Sequence, residues 1–562
     1  MVTPHDASRL LRSGFWILAI GVVAVVLQAP AQIENVPIGN QVYEFLDRLG
    51  VKGVLPLYSN SAIPLSRKEV ASLLVDAGTR REKLTMADQE FLAKFMQEFA
   101  HEIDPQSEEA SVLFRDGFTN ALTDKEKYLY AFSDSSFTAY VEFLGSLDFR
   151  QANGDSYGSA HAMLESHGGR IRGTIKQQLG YFLQATNGTL VGDRAFALSD
   201  PRLRSNVKFN NLDSPYFDFT EAYLRADLSW FNLQFGREYS RFGTGYSDKL
   251  LLSDNAPVFD FLKLDAHYKS LRFSFLHGSL LPDSALFPGI PVTEPTGSNK
   301  YLAMHRIQFS LFDVLNLSAS EMIIYQRYSP EFAYLNPINF YKSSEHSLRD
   351  RDNALLGFDF EFFPHDGYKL YGSWLIDDID FSKMGTGWWG NEFGWQGGAC
   401  LTDAAGMSNL DLIVEYARLE PYVYTNRLNG NDYTHNNVSL GHHLEPNSDE
   451  WFVQCRHRPL KSLRTWITFT HERHGENIIE NGMVIRNVGG AVMQGHRTAD
   501  SETASFLDGN LVRRNRIRLQ ATYEPITNVF LAGSYEFQQA RLDAAGTTIN
   551  DGTASIKLSV EY

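Results

Sequence analysis

The sequence Ile556-Lys557-Leu558-Ser559-Val560-Glu561-Tyr562 alternates apolar and polar residues without a break. In an extended strand, the apolar residues of this stretch project to one face and the polar residues project to the other. A soluble sandwich would place the apolar face on a core and the polar face in water. A membrane barrel would place the apolar face against lipid and the polar face against a wet lumen. The stretch therefore favours two all-β architectures.

A strand that runs to a terminal aromatic residue resembles the last strand of bacterial outer-membrane barrels. The same alternation recurs in residues 231–236, 356–362, 410–416 and 517–523. The second face of these strands repeatedly carries charge, which a closed sandwich core does not accept but a wet lumen does. At roughly 24 residues per strand and connection, we predict an all-β transmembrane barrel of about 16–18 antiparallel strands. The last strand should close the barrel against the first, near residues 137–149.

The connections between these strands differ in length. Residues 524–528 read as a short turn, whereas 282–300, 326–352 and 473–511 read as long loops. Short turns at one rim and long loops at the other are typical of outer-membrane barrels. A soluble β-propeller would need blade motifs at a fixed period, and we find none in the sequence. The 39 Phe, 26 Tyr and 8 Trp residues suit the aromatic girdles of a membrane barrel.

The first residues are typical of an exported protein. Arg9 and Arg12 precede the apolar run 15–27, which is too short to cross a membrane as a helix. Residues 29–31 then form a small-x-small cleavage pattern. We therefore predict that residues 1–31 are a signal peptide.

The overall composition excludes two classes of protein. A mean hydropathy of -0.27 does not fit a bundle of membrane-spanning helices. The formal net charge of -16 gives no electrostatic case for binding nucleic acid. Two cysteines, Cys400 and Cys455, provide no disulfide framework, and the sequence leaves open whether they are bonded to each other.

Residues 40–101 follow a helical period instead of a strand period. Apolar residues recur at i, i+3, i+4 and i+7 from Val42 to Leu49, with Gly50 as the predicted C-cap. A capping box at Ser66 and a second start signal at Thr85 each open a further amphipathic helix. The predicted organisation is a signal peptide (1–31), an N-terminal helical periplasmic module (32–105), a linker (106–130) and an outer-membrane β-barrel (131–562).

Several segments together point to a known family. Residues 221–257 contain EAYL at 221–224, GRE at 236–238, RFGTG at 241–245 and LLLSDNAP at 250–257. Further segments read FLDRLGV at 45–51 with PLS at 64–66, NALLGFDF at 353–360, and YTH at 433–435 with LGHH at 440–443. In this order they resemble the Wzi family of capsule-assembly outer-membrane proteins. The chain departs from the family pattern at Phe242 and Thr244 and in its longer loops, so the identity of a ligand does not carry over.

The resemblance implies a function in the outer membrane of a Gram-negative-type bacterium. It implies a barrel with a largely closed lumen, a helical module at its periplasmic end, and exported capsular polysaccharide as the partner. A porin-like channel for sugars or small solutes is the alternative, because a charged lumen also suits a water-filled pore. The N-terminal segment also resembles an S-layer-homology-like helical unit, which implies weak contact of residues 40–101 with peptidoglycan.

Aromatic and basic residues near the loops are candidates for binding a glycan. Aromatic faces stack on the C–H surfaces of sugars, and neighbouring polar groups bind hydroxyls. The candidates are Trp388, Trp389, Trp395, Tyr422, Tyr424, Tyr433, Arg237 and Arg241. The alternative for the aromatic residues is a girdle at the membrane interface. The alternative for the arginines is an ion pair with a lumen carboxylate such as Glu221 or Asp227.

Metal and catalytic motifs are weak in this sequence. Residues 377–380 are acidic but lack the spacing and the glycine of a calcium loop. The pairs His442–His443 and His471–His474 have no convincing third ligand, and we predict surface histidines. Serine, histidine and aspartate are plentiful, but no serine lies in a GxSxG nucleophile elbow. We therefore expect no metal site, no cofactor and no enzymatic activity.

Overall fold

The computed structural model describes residues 32–104, 110–117, 122–123, 125–134, 136–210, 214–282, 299–427 and 430–562. Within this described part, eighteen long antiparallel strands close into a barrel, as predicted. The predicted signal peptide, 1–31, lies outside the described residues. The strands are β1 (Thr138–Gly154), β2 (Gly158–Ile175), β3 (Leu179–Gly192), β4 (Tyr216–Asp227), β5 (Phe231–Arg237), β6 (Asp260–Tyr268), β7 (Leu271–Leu280), β8 (Asn299–Leu311), β9 (Leu315–Arg327), β10 (Asn353–His365), β11 (Tyr368–Asp378), β12 (Glu392–Leu401), β13 (Leu410–Leu419), β14 (Ser448–Leu460), β15 (Leu463–Glu476), β16 (Asn510–Ile526), β17 (Val529–Leu542) and β18 (Thr547–Glu561).

The barrel closes where the sequence predicts. Strand β18 pairs with β1, and Lys557 lies opposite Asp148 while Ile556 lies opposite Phe149. Below this contact, the short strand Tyr130–Ser133 pairs with the beginning of β1. Among the described strands of the wall, the closed hydrogen-bond ladder leaves no unpaired sheet edge, as a lipid environment requires.

The two ends of the barrel differ in the length of their connections. At one end, the short-turn end, the connections are 176–178, 228–230, 269–270, 312–314, 366–367, 402–409, 461–462 and 527–528. At the other, the long-loop end, they are 193–215, 238–259, 281–298, 328–352, 379–391, 420–447 and 477–509, with two short hairpins at 155–157 and 543–546. This asymmetry is the one predicted from the sequence.

The faces of the wall strands alternate as predicted. In β10, Phe358 and Phe360 are exposed on the outer surface, whereas Asp359 and Glu361 are buried inside the barrel. Asp359 forms an ion pair with Arg306 of the neighbouring part of the wall. In this strand the outer face is therefore apolar, and the charged residues line the interior.

The helical module contains α1 (Val42–Val51), α2 (Arg67–Gly78), α3 (Met86–Glu98) and α4 (Ala100–Ile103). Ser66 and Thr85 form capping boxes at the starts of α2 and α3, which confirms both predicted starts. The C-cap prediction for Gly50 is wrong, because the chain keeps helical dihedral angles and α1 is capped by Lys52 (φ -72°). No helix among the described residues is long and apolar enough to cross a membrane.

Shorter elements occupy the connections and the region predicted as a linker. The short strands are Ala62–Ile63, Ala110–Val112, Glu126–Tyr128, Tyr130–Ser133, Arg241–Phe242, Thr434–His435, Val438–Ser439, Ile478–Glu480 and Met483–Arg486. The short helices are Arg81–Lys83, Leu113–Asp116, Arg194–Ala197, Pro201–Arg204, Val207–Asn210, Phe332–Leu335, Tyr341–Ser347, Phe381–Lys383 and Ala404–Gly406. Part of the segment 106–130 is therefore structured, since Ala110–Val112 pairs with Glu126–Tyr128.

The helical module contacts the barrel at the short-turn end. The Arg48 guanidinium group of α1 pairs with Asp403 at 2.6 Å and with Asp411 of β13. Lys94 of α3 pairs with Glu524 of β16. These contacts are buried or half-buried, so the module fills the barrel mouth at this end.

Candidate functional site

Two loops of the long-loop end fold into the barrel and fill its interior with apolar side chains. Leu250, Leu251 and Leu252 of the loop 238–259 are completely buried. They pack against Val423, Leu440 and Leu444 of the loop 420–447 and against inward residues of the wall. We call this cluster the plug. The family resemblance implied a largely closed lumen, and apolar side chains pack the interior in this half of the barrel.

Two glycan-binding candidates, Tyr424 and Tyr433, lie inside the plug. Their rings stack with centroids 5.4 Å apart. The Tyr424 hydroxyl donates to the carbonyl oxygen of Leu250 at 2.7 Å, and the Tyr433 hydroxyl donates to that of Leu251 at 2.5 Å. Both phenols are fully buried, so they join the two loops instead of facing solvent.

Small residues make room for the plug. Leu251 packs against Gly357 of β10, where an added Cβ would lie 2.3 Å from a Leu251 methyl carbon. Gly245 has φ +112° and approaches the Gln396 amide, where a Cβ would lie 2.5 Å from its nitrogen. Only glycine permits this backbone conformation and this approach together. The two glycines therefore explain part of the RFGTG and NALLGFDF patterns.

Arg237 and Arg241 both form ion pairs, but not with the expected carboxylates. Arg237 pairs with Asp260 at 2.7 Å, and Arg241 pairs with Asp254 at 2.6 Å. The expectation of Glu221 or Asp227 as partners is wrong. Arg237 lies directly opposite Asp260 in the sheet, and Arg241 follows the end of β5, where the nearest carboxylate belongs to the same loop.

Beside the plug, two histidines differ in charge although they are adjacent in sequence. His442 is completely buried, and burial lowers its pKa to about 4, so it is neutral. Burial alone would also lower the pKa of His443, but the nearby Glu450 carboxylate and the hydrogen bond with Asp248 raise it to about 10. The His443 Nδ1 atom lies 3.1 Å from Asp248 and its Nε2 atom lies 3.5 Å from Glu450. The prediction of surface histidines is wrong for His442, because loop 420–447 folds inward. It is also wrong for His474, which is buried against the Gly490 carbonyl of loop 477–509.

The charged His443 predicts a pH dependence of stability. A pKa raised above its ordinary value of 6.5 stabilises the fold below about pH 6.5, and this contribution is lost as the pH rises toward about 10. We expect the melting temperature to fall over this range in the wild type and to fall less in His443→Gln. Circular dichroism in detergent between pH 6 and pH 10 measures both slopes. The exposed residue His365 supplies the control, and a His365→Gln variant that reduces the pH dependence of the melting temperature as much as His443→Gln would contradict the assignment.

An aromatic cluster lies outside the plug, where the loops 379–391 and 477–509 meet. Trp389 stacks on His496 with centroids 3.8 Å apart, and its edge contacts Tyr422 at 5.6 Å. Trp388 contacts Trp389 at 5.5 Å, and the Lys383 Nζ atom lies 3.8 Å from the centroid of the Trp388 ring. We call these five residues the aromatic cluster. Trp388 and Trp389 are half-buried, whereas Tyr422 is buried beneath them.

The loops 379–391 and 477–509, which carry four of the five residues of the aromatic cluster, are held together by their backbones. The amide of Ala504 donates to the carbonyl of Gly387 at 2.9 Å, and the amide of Trp389 donates to that of Glu502 at 3.3 Å. Sequence reasoning missed Lys383 and His496, since this pairing of distant loops leaves no pattern in the sequence. The doubled tryptophan was the only available signal.

The remaining candidates lie elsewhere. Trp395 faces outward from β12, stacks on Trp374 at 5.3 Å, and lines a cavity of about 730 Å³ on the outer wall of the barrel. Asp377 of the acidic run is buried and accepts a hydrogen bond from the Tyr424 amide. Cys400 and Cys455 are both free thiols, which answers the question that the sequence left open.

Comparison with known proteins finds solved structures that are similar to this chain. A search of curated proteins finds no match. Among solved structures, Escherichia coli Wzi, described as an outer membrane protein involved in group 1 capsule assembly and a carbohydrate-binding β-barrel, is 14% identical, with a TM-score of 0.55 over 95% of this chain and 100% of that one. Pseudomonas aeruginosa OprD is 11% identical, with a TM-score of 0.41 over 75% of this chain and 95% of that one. Acinetobacter baumannii OccAB2 is 11% identical, with a TM-score of 0.45 over 75% and 98%.

The family model for capsule assembly protein Wzi matches residues 148–539, which include every wall strand from β2 to β16. The match covers the plug loops, the aromatic cluster and the NALLGFDF strand. It includes the segments at 221–257, 353–360 and 433–443 that carry the resemblance, whereas those at 45–51 and 64–66 lie outside it. The chain belongs to the Wzi family of capsule assembly proteins.

Proposed function

We propose that this outer-membrane barrel binds exported polysaccharide at its long-loop end and holds it at the cell surface without catalysing a reaction. The observation that carries the proposal is the aromatic cluster, which presents Trp388 and Trp389 beside the Lys383 ammonium group. Tryptophan faces suit the C–H surfaces of sugars, and an ammonium group suits acidic or hydroxyl-rich units. Membership of the family and the description of Escherichia coli Wzi as a carbohydrate-binding barrel support the same substrate class.

The orientation follows from the two ends of the barrel. Long loops of outer-membrane barrels face the exterior and short turns face the periplasm. The aromatic cluster then meets the extracellular polymer, and the helical module faces the periplasm. A polymer with repeated units can engage many copies of the protein, so avidity adds to a modest affinity at each site.

Replacing Trp388 with alanine tests the proposal. Loss of one stacking aromatic face is expected to weaken binding of capsular polysaccharide about tenfold, which corresponds to about 1.4 kcal/mol. The measurement is microscale thermophoresis of the detergent-purified protein with polysaccharide fragments of defined length. Trp230, exposed in a turn of the short-turn end, provides a matched control. Equal affinity of Trp388→Ala and Trp230→Ala would remove the aromatic cluster from the binding site.

A further inference from the structure

The loop 328–352, which we call the flap, folds down over the outside of the barrel wall. On β9, Ile324 packs against the plug inside the barrel. Its neighbours Ile323 and Tyr325 therefore face outward. Both are nevertheless completely buried, because Tyr334 of the flap packs on them, with its ring centroid 4.9 Å from that of Tyr325. The flap thus covers part of the outer face of the wall.

The flap reaches the middle of the wall. Strand β9 has 13 residues, and Glu321 lies at its midpoint. The backbone amides of Tyr341 and Lys342 in the flap each donate to the Glu321 carboxylate at 2.7 Å. At about 3.3 Å per residue and a tilt of about 40°, this contact lies roughly 15 Å below the end of β9 along the membrane normal. The apolar band of an outer-membrane barrel is about 25 Å tall, so the contact lies at the depth of the hydrocarbon.

The exposed surface of the flap is apolar where the flap is deepest. Ile338 and Phe340, next to the contact with β9, are 84% and 58% exposed. From there the chain rises again to Asn353, where β10 begins. Exposed residues along this rising part are polar, such as Ser343 and His346. The flap therefore changes from apolar to polar in the same direction as a bilayer leaflet, from its hydrocarbon to its headgroups.

Hydrogen bonds within the flap satisfy polar groups of its lowest part, residues 336–340, which we call the tip. The amide of Ile338 donates to the Asn336 side-chain oxygen at 3.3 Å, and the amide of Asn339 donates to the Asn336 carbonyl at 3.2 Å. The Asn339 side-chain amide donates to the carbonyl of Ala333 at 2.8 Å. Hydrocarbon offers no water to such groups, so a chain at this depth needs partners within the protein. These bonds suit a tip that lies in lipid.

The residue types of the tip fit acyl chains better than sugars. Ile338 has no flat face to stack on a sugar, and Phe340 has no polar group to bind a hydroxyl. Both side chains are favourable in hydrocarbon. Toward the short-turn end, the wall beside the tip continues with exposed Leu317 on β9 and exposed Phe358 on β10, which face lipid. The tip therefore extends an apolar surface that already contacts the membrane.

We propose that the tip inserts into the hydrocarbon of the outer leaflet, where Ile338 and Phe340 bind lipid acyl chains. The hydrogen bonds of Tyr341 and Lys342 with Glu321 hold the tip against the wall at this depth. Insertion removes two large apolar side chains from water, and this hydrophobic burial favours the inserted state. The flap is thus a second membrane contact of the barrel, formed by a loop instead of by strands.

Fluorescence quenching by brominated lipid tests the proposal. In a Cys400→Ala/Cys455→Ala background, Ile338→Cys carries a bimane label, and the protein is reconstituted into phosphatidylcholine vesicles with or without dibrominated acyl chains. We expect the brominated chains to quench the label at Ile338→Cys as strongly as a label at Phe358→Cys on the lipid-facing wall. Ala545, exposed in the hairpin 543–546 of the long-loop end, provides the control, and a label at Ala545→Cys should keep its fluorescence. Quenching at Ile338→Cys no stronger than at Ala545→Cys would overturn the proposal.

Two further measurements separate the position of the tip from folding and from sugar binding. Heat-modifiable migration on a gel selects labelled protein whose barrel is folded, so weak quenching then reports a tip outside the lipid. Fragments of capsular polysaccharide are added to the same vesicles. The label at Ile338→Cys is expected to be insensitive to them. A response to the fragments without quenching by brominated lipid would assign the tip to the polymer and would contradict insertion. Quenching itself does not depend on polysaccharide binding at the aromatic cluster.

Discussion

Replacing Arg48 with methionine is expected to loosen the helical module from the barrel and to destabilise the protein by about 3 kcal/mol. The guanidinium group is 1% exposed and pairs with Asp88 at 2.9 Å, with Asp403 at 2.6 Å and with Asp411. Methionine keeps most of the length but removes the charge. The three carboxylates then lose a shared partner in a site from which water is excluded, and this accounts for the size of the effect.

The expected loss of stability lies at the lower end of the range for a broken buried ion pair, because neighbouring cations still pair with the three carboxylates. Lys52 still pairs with Asp88 and Asp403, and Arg458 still pairs with Asp411 at 2.6 Å. Unfolding by guanidinium chloride in detergent measures the stability of the protein, and limited proteolysis reports release of the helical module. Arg81 is exposed and serves as the control. If Arg48→Met lowers the free energy of unfolding as little as Arg81→Met does, the module is held by apolar packing alone.

The fold was predictable because a barrel wall is a local pattern. A period of two assigns each strand residue to lipid or to the interior, as Phe358 and Asp359 show in β10. The helix starts at Ser66 and Thr85 were equally readable, since a capping box uses residues only three positions apart. Such signals need no knowledge of distant contacts. The sequence of the wall therefore carried nearly all the information about architecture.

The plug was not predictable for the opposite reason. Leu250, Leu251 and Leu252 are consecutive apolar residues with no period, and they read equally well as the end of a strand. Their burial depends on Tyr424 and Tyr433, which lie more than 170 positions away in the chain. No local rule distinguishes a tyrosine that fastens two inward loops from one that faces a ligand.

The candidate site shows the same limit. Trp389 and Tyr424 belong to one aromatic-rich stretch of sequence, yet Trp389 is half-buried beside His496 and Tyr424 is enclosed in the plug. The difference arises from the direction in which each loop folds, inward for 420–447 and over the rim for 379–391. Residue type identified the chemistry, and only the loop path identified which residues are accessible.

Replacing Leu251 with aspartate is expected to open the long-loop half of the barrel. Leu251 is completely buried. Its carbonyl oxygen accepts a hydrogen bond from the Tyr433 hydroxyl, and this bond joins the two plug loops. An ionised carboxylate cannot remain in this apolar site, since burying it unpaired is unfavourable by several kcal/mol. The wall is held by its own hydrogen-bond ladder, so the loop 238–259 should leave the interior while the barrel persists.

Planar-bilayer recording distinguishes the two functions considered for this chain. The wild type is expected to be nearly silent, since the plug and the helical module close the two ends of the barrel. A Leu251→Asp/Arg48→Met variant is expected to give steady single-channel currents, because it frees the polar interior lined by ion pairs such as Arg306–Asp359 and loosens the module from the short-turn end. Leu281, an exposed leucine at the long-loop end, provides the control, and Leu281→Asp/Arg48→Met should stay silent. Large steady currents from the wild type itself would identify a porin-like channel and would show that the plug is no barrier. Currents that appear only in Leu251→Asp/Arg48→Met would instead show that tight apolar packing, and not the charged wall, closes a barrel whose strands alone could form a pore.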